Sequence, residues 1–403
     1  MRNMNLRAFL GVFLLLFNTL SWYYMTLFLV SFIQNDVGLI MSWGFYYVGI
    51  IISSIIGTVL SERIKRATIF TIWITAGFLA SLSFPLIVKV NTIPLTSTAI
   101  FFLGFSVGLG IPSCLAEFAD TVSIEKRGQA GGFILLLTII SISLVASAFS
   151  SINLTIISLI SGGWRIFGIL SLYALRPKIV MKTAESVEKR VSYYSVFSNK
   201  TFVFYLTSWL MFSFIDHFEA PILRLFFEQK VWFFIQLVSP TIGSIFAQIW
   251  GYLSDNLGRK KVTIYGFVIL GLAYAGLGVA PAFPLCWYLY GILNAVAWGN
   301  FYVNFVLVLW GDLSDSGGRE KYYSVGGTLF FFAGIVELLS ASYLEKIPAY
   351  ASFSLASLFL FLAVIPLIYA PETLPDQFLR QRELKRYIEK AKRIREKYEK
   401  AKD

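Results

Sequence analysis

Asp216-His217-Phe218-Glu219-Ala220-Pro221 sets two carboxylates and the chain's only histidine beside a run of Phe, Leu, Ile and Trp. Asp216 and Glu219 are three apart and share a face of any helix built there. His217 projects about 160° away from Glu219, toward a different neighbour. Paired, partly desolvated carboxyls suit reversible proton carriage, and histidine is the side chain whose ordinary titration lies nearest neutrality. Pro221 removes one helix bond and crowds the carbonyl of His217, so a kink is expected. Glu337 is a second acid stranded in apolar sequence. An ionisable group in such surroundings costs several kcal/mol unless it faces a cavity or a partner, which makes Asp216, His217, Glu219 and Glu337 the candidate proton-coupling set. The competing reading ends the apolar run near Phe214 and makes 216–224 an external loop, with Arg224 and Lys230 beside it.

The elements that must hold these groups follow from composition. The chain has 403 residues, 57% apolar, 17% aromatic and only 14% charged, against roughly 25% charged in soluble domains. Apolar runs long enough to span a bilayer recur throughout, at 7–33, 39–60, 67–88, 94–118, 129–157, 162–180, 201–227, 232–253, 262–281, 285–310, 322–344 and 349–370. Gly162-Gly163-Trp164-Arg165 is expected to link the fifth and sixth. The basic N-terminus precedes an apolar stretch too long for a signal peptide, so it is expected to stay as the first helix. Cys114 and Cys286 both sit in apolar runs and fit small packing residues, with no metal-ligand spacing around them.

Charge placement sets the topology. The net charge of +11 is confined to short links and the last thirty or so residues, which argues against nucleic acid as a partner. With both termini on one side, all but five of the 34 lysines and arginines fall on that side. The exceptions are Lys89, Arg165, Arg224, Lys230 and Lys346. Positive loops stay in the cytoplasm, so both termini are expected there, in the plasma membrane. The chain also repeats. Ser61-Glu62-Arg63 returns as Ser254-Asp255-Asn256, and Arg127-Gly128 with Gly131-Gly132 returns as Arg319-Glu320 with Gly326-Gly327. Both offsets are about 193 positions, close to half the chain. The expected units are a six-helix half over 1–180, a cytoplasmic linker over 181–200, a second half over 201–370 and a basic helical tail over 371–403. In the tail, Leu384, Tyr387, Ile388, Ala391, Ile394 and Tyr398 form a narrow apolar stripe on a basic helix. Such a helix either caps the protein in solvent or meets anionic lipid headgroups.

Gly251-Tyr-Leu-Ser-Asp255-Asn-Leu-Gly258-Arg259-Lys260-Lys261 resembles the loop signature of the major facilitator superfamily, with Asn256 at a position usually held by arginine. The copy from Gly57 to Arg66 is degraded, with Lys65 in place of a glycine. Glu117 followed by Arg127-Gly128 resembles the family's pattern after the fourth helix. Pro371-Glu372-Thr373 resembles the segment that follows the twelfth helix in its sugar and metabolite porters. The resemblance implies an all-α integral membrane protein, twelve transmembrane helices in two six-helix pseudo-symmetric halves, usually monomeric. It implies a cytoplasmic latch of loop charges, here Glu62, Arg63, Arg66, Glu117, Arg127, Asp255, Arg259, Lys260, Asp312 and Arg319. Asp120 and Asp315 are further acids within reach of such bases. It also implies a substrate site between the halves, where helices 1 and 10 offer Asn18, Trp22, Tyr23, Tyr24, Asn294, Trp298, Asn300, Tyr302 and Asn304. Amides and rings of this kind hydrogen-bond and stack on polar ligands. No lysine or arginine lies deep in helices 1, 4 or 10, which disfavours phosphate or nitrate. The first helix lacks the acid that sugar porters carry there, which moves coupling to the second half.

The reading that unites these features is a secondary transporter: proton-coupled symport of a small neutral or weakly acidic organic solute by rocking of the two halves. Efflux of an amphipathic compound by proton antiport, and a membrane sensor or scaffold that does not transport, are the other classes. The sequence has no nucleotide loop, no metal-ligand spacing and no nucleophile–base pair, so neither an enzyme nor a cofactor is expected.

Overall fold

The fold was analysed in a computed structural model, which describes residues 6–90, 92–149, 152–182, 191–226, 234, 238–314 and 318–400. Twelve helical spans occur among them. The first half comprises α1 (Leu6–Val37), α2 (Ile40–Ser61), α3 (Arg66–Val88), α4 (Ile93–Thr121), α5 (Arg127–Phe149) and α6 (Leu154–Lys182). The second comprises α7 (Lys200–Phe226), α8 (Ser239–Leu257), α9 (Arg259–Val279), α10 (Pro284–Leu313), α11 (Arg319–Leu344) and α12 (Ala349–Tyr369). Ten of these are long and apolar enough to cross a bilayer on composition alone. The other two, α7 and α8, have 27 and 19 described residues. Asp216, Glu219 and Arg224 lower the apolarity of α7, and Asp255 that of α8. The chain is a multi-pass membrane protein. A short helix, Tyr193–Ser198, lies before α7, and a tail helix, Asp376–Lys400, follows α12.

The link between the fifth and sixth helices lies earlier in the chain than the apolar runs predict. Gly162-Gly163-Trp164-Arg165 lies inside α6, which already begins at Leu154, and α5 extends only to Phe149. The apolar runs on either side of that link merge in hydropathy, and a pair of glycines is not a break in a helix that neighbours hold. Arg165 is therefore an interior residue, and it leaves the group of bases assigned to the far loops. The linker expected at 181–200 falls partly on 183–190, and Lys230 and Asp315 fall on 227–233 and 315–317; these lie outside the described residues. The alternative in which α7 ends near Phe214 is excluded, because the helix runs unbroken through Pro221 to Phe226.

Helix pairing follows the internal repeat. Within the halves α2 packs on α4 and α1 on α6, matched by α8 on α10 and α7 on α12. Between them α5 packs on α8 and α2 on α11, two crossings that exchange under the same repeat. Small residues let the backbones meet. A Cβ on Gly251 would lie 2.2 Å from the Gly128 carbonyl oxygen, one on Gly128 would lie 2.5 Å from that of Gly251, and one on Gly132 2.6 Å from that of Ala247. Gly258 sits at φ +101° between α8 and α9, a conformation that disfavours any side chain. It allows the single-residue reversal between these helices. The carboxylate of Glu372 then caps α9, accepting from the backbone N–H of Arg259 at 2.8 Å and of Lys260 at 3.1 Å.

Replacing Gly128 or Gly251 with valine is expected to cost about 1–3 kcal/mol through overpacking. Gly163→Ala, where a Cβ meets nothing within 4 Å, is expected to be neutral or stabilising by under about 1 kcal/mol. Thermal unfolding of the detergent-solubilised variants measures both, and equal losses at the two kinds of site would contradict the packing assigned to the crossing.

Candidate functional site: an ion-pair latch and a central cavity

At the end of the bundle that carries the described chain ends, charges of the two halves interlock in pairs related by the repeat. Arg127 on α5 bonds Asp312 on α10, and Arg319 on α11 bonds Asp120 on α4. Both bases and both acids are 192 residues apart, so one contact is the image of the other. Arg259 joins Asp255 at 2.5 Å and Asp312 at 3.1 Å, and also donates to the Ile124 carbonyl of the other half at 2.7 Å. Asp255 in turn accepts from the backbone N–H of Gly128 at 2.9 Å and of Gln129 at 2.8 Å. Arg66 bonds Glu117 at 2.9 Å and Asp120 at 2.7 Å, then crosses to Glu320. Glu62 pairs with Lys321 across the same seam. Arg63, grouped with these on sequence, is exposed. Lys260 caps the carbonyl of Ile368 at 2.7 Å and stays within its own half. Glu320 and Lys321 complete the seam; the pattern of alternating charge after Gly318 was their sequence signal.

Above this seam lies a cavity of about 200 Å³ between the halves. Tyr23 and Tyr24 of α1 and Trp298 and Tyr302 of α10 line it, together with Phe330 and Phe331 of α11. Its described lining contains no charged side chain. The Tyr24 hydroxyl reaches that of Tyr302 at 3.4 Å, and Tyr23 and Tyr47 meet the ring of Phe331, so aromatic contacts join the halves here. Tyr302–Val308 is a π-helical turn in α10, a local irregularity typical of functional sites.

The other residues expected at the substrate site face elsewhere. Asn304 donates to Asn300 at 3.0 Å and accepts from Ser254 at 2.6 Å, while Asn300 donates to the Val262 carbonyl at 2.7 Å. Both are fully buried and tie α10 to α8 and α9, because an amide in apolar surroundings bonds whatever backbone is nearest. Asn18 donates to the Trp164 carbonyl at 2.6 Å, and the Trp22 indole donates to Ser81 at 3.0 Å, holding α1 against α6 and α3. Asn294 is half-buried and away from the cavity lining.

The acidic groups fall in the half of the bundle far from the latch. At 1.5 Å per residue, Asp216 lies roughly 24 Å along α7. It interacts with the Trp298 indole of the cavity wall. Glu219 accepts from the Ser352 hydroxyl at 2.7 Å, turned toward α12 rather than the cavity, and its Oε2 has no hydrogen-bond partner among the described residues. His217 is bonded through Nδ1 to the Ser213 carbonyl at 2.8 Å, and because a carbonyl only accepts, Nδ1 carries the proton. Its ring packs on Phe330 with centroids 4.5 Å apart. Glu337 is buried on α11 with Arg224 of α7 at 3.7 Å. That base was invisible along α11 itself; only the fold brings α7 alongside.

No family model matches the chain, and no curated protein matches it. Among solved structures, a double-tryptophan mutant of XylE superposes with a TM-score of 0.73 at 15% identity, covering 94% of this chain and 98% of that one. Another XylE structure is described as an MFS proton:xylose symporter. The human organic anion transporter MFSD10 gives 0.66 at 14% identity, covering 90% and 99%. A bacterial homologue of the iron transporter ferroportin in an outward-facing state gives 0.67 at 14%, covering 90% and 98%.

Arg259→Met leaves Asp255 and Asp312 buried without their shared base and is expected to cost about 3–5 kcal/mol. Glu62→Gln, in a partly exposed pair, is expected to cost less than about 1 kcal/mol. In thermal unfolding, the reciprocal exchange of Arg319 and Asp120 should recover part of the loss that either reversal causes alone. The helix pairing, the repeat and the solved neighbours together give this chain the major facilitator superfamily fold.

Proposed function

We propose that the protein is a secondary transporter that takes up a small organic solute together with protons, by alternate opening of the two ends of its central cavity. The observation that carries this reading is the combination of a cavity between two halves with a charged seam that closes one end. Ion pairs buried at such a seam are held only while the halves touch, and water solvates the same charges when they part. The seam therefore suits a gate that opens and closes at modest cost. The solved neighbours include a proton:xylose symporter, an organic anion transporter and a homologue of an iron transporter, so likeness of fold does not select the cargo. The excess of lysines and arginines at the seam end favours the cytoplasm for that side and for both termini, and the plasma membrane as the setting.

Proton coupling is assigned to the second half. Asp216 lies within electrostatic reach of Trp298 in the cavity wall, and Glu337 sits between α7 and α11 with Tyr47 of the first half nearby. Among the described residues Glu219 Oε2 has no hydrogen-bond partner, and Glu337 Oε1 has none but faces the Arg224 guanidinium at 3.7 Å, a pairing that a proton on the carboxyl would release. Movement of α2 against α11 changes the surroundings of Glu337 directly.

Uptake of a labelled metabolite panel into proteoliposomes, with and without a pH gradient, tests the reading. Gradient-driven uptake is expected to fall at least about tenfold in Glu337→Gln, with gradient-free exchange retained. Survival of full gradient dependence after neutralising Asp216, Glu219 and Glu337 together would remove coupling from this cluster.

A further inference from the structure

Arg165 is a buried cation that neither the latch nor the acidic cluster uses. It lies eleven residues into α6, roughly 16 Å from that helix's start, close to the centre of a hydrocarbon layer about 30 Å thick. Its side chain is wholly buried. The guanidinium is sandwiched between the rings of Trp22 and Trp73, at 4.4 and 4.2 Å from their centroids. Nη1 donates to Asn18 Oδ1 at 3.0 Å and to Thr19 Oγ1 at 3.1 Å. Among the described residues Nε and Nη2 have no hydrogen-bond partner. No carboxylate among the described residues pairs with it. Glu117, the acid one turn along α4 from the neighbouring Cys114, is occupied by Arg66.

A guanidinium offers five N–H donors, and those on Nε and Nη2 are unmet. The aromatic sandwich offsets part of the burial cost, yet a buried charge left without a counter-ion stays expensive. Nε faces Gly77 of α3, and the cavity is reached from the Nη1 side of the guanidinium. Thr19 and Cys114 both line the central cavity, and the Thr19 hydroxyl already touches the guanidinium. Because that hydroxyl accepts from Nη1, its own proton points elsewhere, toward Cys114 or a ligand. Arg165 itself stands behind the lining, with Thr19 between it and the cavity, and the rest of the described lining carries no charge.

From this arrangement we infer that Arg165 and Thr19 form an anion subsite of the central cavity, and that the cargo is an organic monocarboxylate with an apolar body. The carboxylate takes the Thr19 side of the cavity, and its body packs against Tyr23, Tyr24, Trp298 and Phe331. This deepens the transporter reading and rests on it for the word cargo; the subsite itself is a statement about binding.

The test uses the purified full-length protein and matched probes, phenylacetate and hexanoate against phenylacetamide and hexanamide. Each acid is expected to raise the unfolding temperature more than its amide does. Arg165→Gln is expected to abolish that preference, Arg165→Lys to keep it, and Thr19→Val to weaken acid binding about tenfold. Equal shifts by acid and amide in the wild type, or a folded Arg165→Gln that still prefers the acids, would overturn the subsite. If Arg165→Gln does not fold, an undiminished preference in Thr19→Val overturns it instead. Acid binding without flux in proteoliposomes upholds the subsite and defeats only the transporter reading. Flux of the amides with no binding of the acids defeats only the subsite.

Discussion

The seam of reciprocal ion pairs at the basic end is the constraint on which the rest of the structure depends. Arg127 with Asp312 and Arg319 with Asp120 are buried or nearly so, and each joins one half to the other. Charges removed from water on that scale gain little net free energy, because their attraction is set against desolvation. A seam of this kind specifies geometry more than it adds strength. It fixes the register of α5 on α8 and of α2 on α11, the two crossings about which the halves meet. The same near-balance suits the proposed gate, since a ligand can shift two arrangements that differ by only a few kcal/mol.

The two copies of the loop solve the same problem differently. In the second half Gly258 reverses the chain in one residue, and Glu372 caps the helix that follows. In the first half Glu62–Lys65 makes a longer link with ordinary backbone angles, and Arg66 finds Glu117, Asp120 and Glu320. The tighter copy binds its arginine wholly inside the protein, whereas Arg66 stays partly exposed. Opening the seam therefore disturbs the two halves unequally even though their helices correspond.

Much of the scaffold was legible in the sequence, because lipid imposes a strict rule: long apolar runs become helices, and their ends collect the charges. The loop signature and the offset between its copies pointed to most of the charges that meet at the seam, but not to the places of Arg63, which is exposed, and Lys260, which stays within its own half. The site inside the membrane was far less legible. Asn300 and Asn304 read as ligand groups because they share a helix face, yet that face meets α8 and α9. Sequence spacing tells which residues lie together on one helix and nothing about what stands opposite. Arg165 shows the same limit in reverse. Placed in a loop by its neighbouring glycines, it is a mid-membrane charge, and only the early start of α6 at Leu154 reveals it.

The intramembrane charges are divided by half. The base, Arg165, belongs to the first; Asp216, Glu219 and Glu337 belong to the second, which also holds Arg224 at the end of α7. Under the proposed function, such a division would seat an anion against one half and a proton against the other. If one monoanion moves with one proton, no net charge crosses, so the membrane potential does no work on the cycle. Only the proton gradient drives it, at about 1.36 kcal/mol per pH unit, or tenfold accumulation. Moving a neutral solute with one proton instead draws about 2.3 kcal/mol from each 100 mV. Collapsing the voltage at constant pH gradient should thus leave uptake of a carboxylate unchanged, whereas collapsing the pH gradient at constant voltage should stop it. A voltage-driven cycle would place Arg165 outside the cargo path and return it to a purely structural role between Trp22 and Trp73.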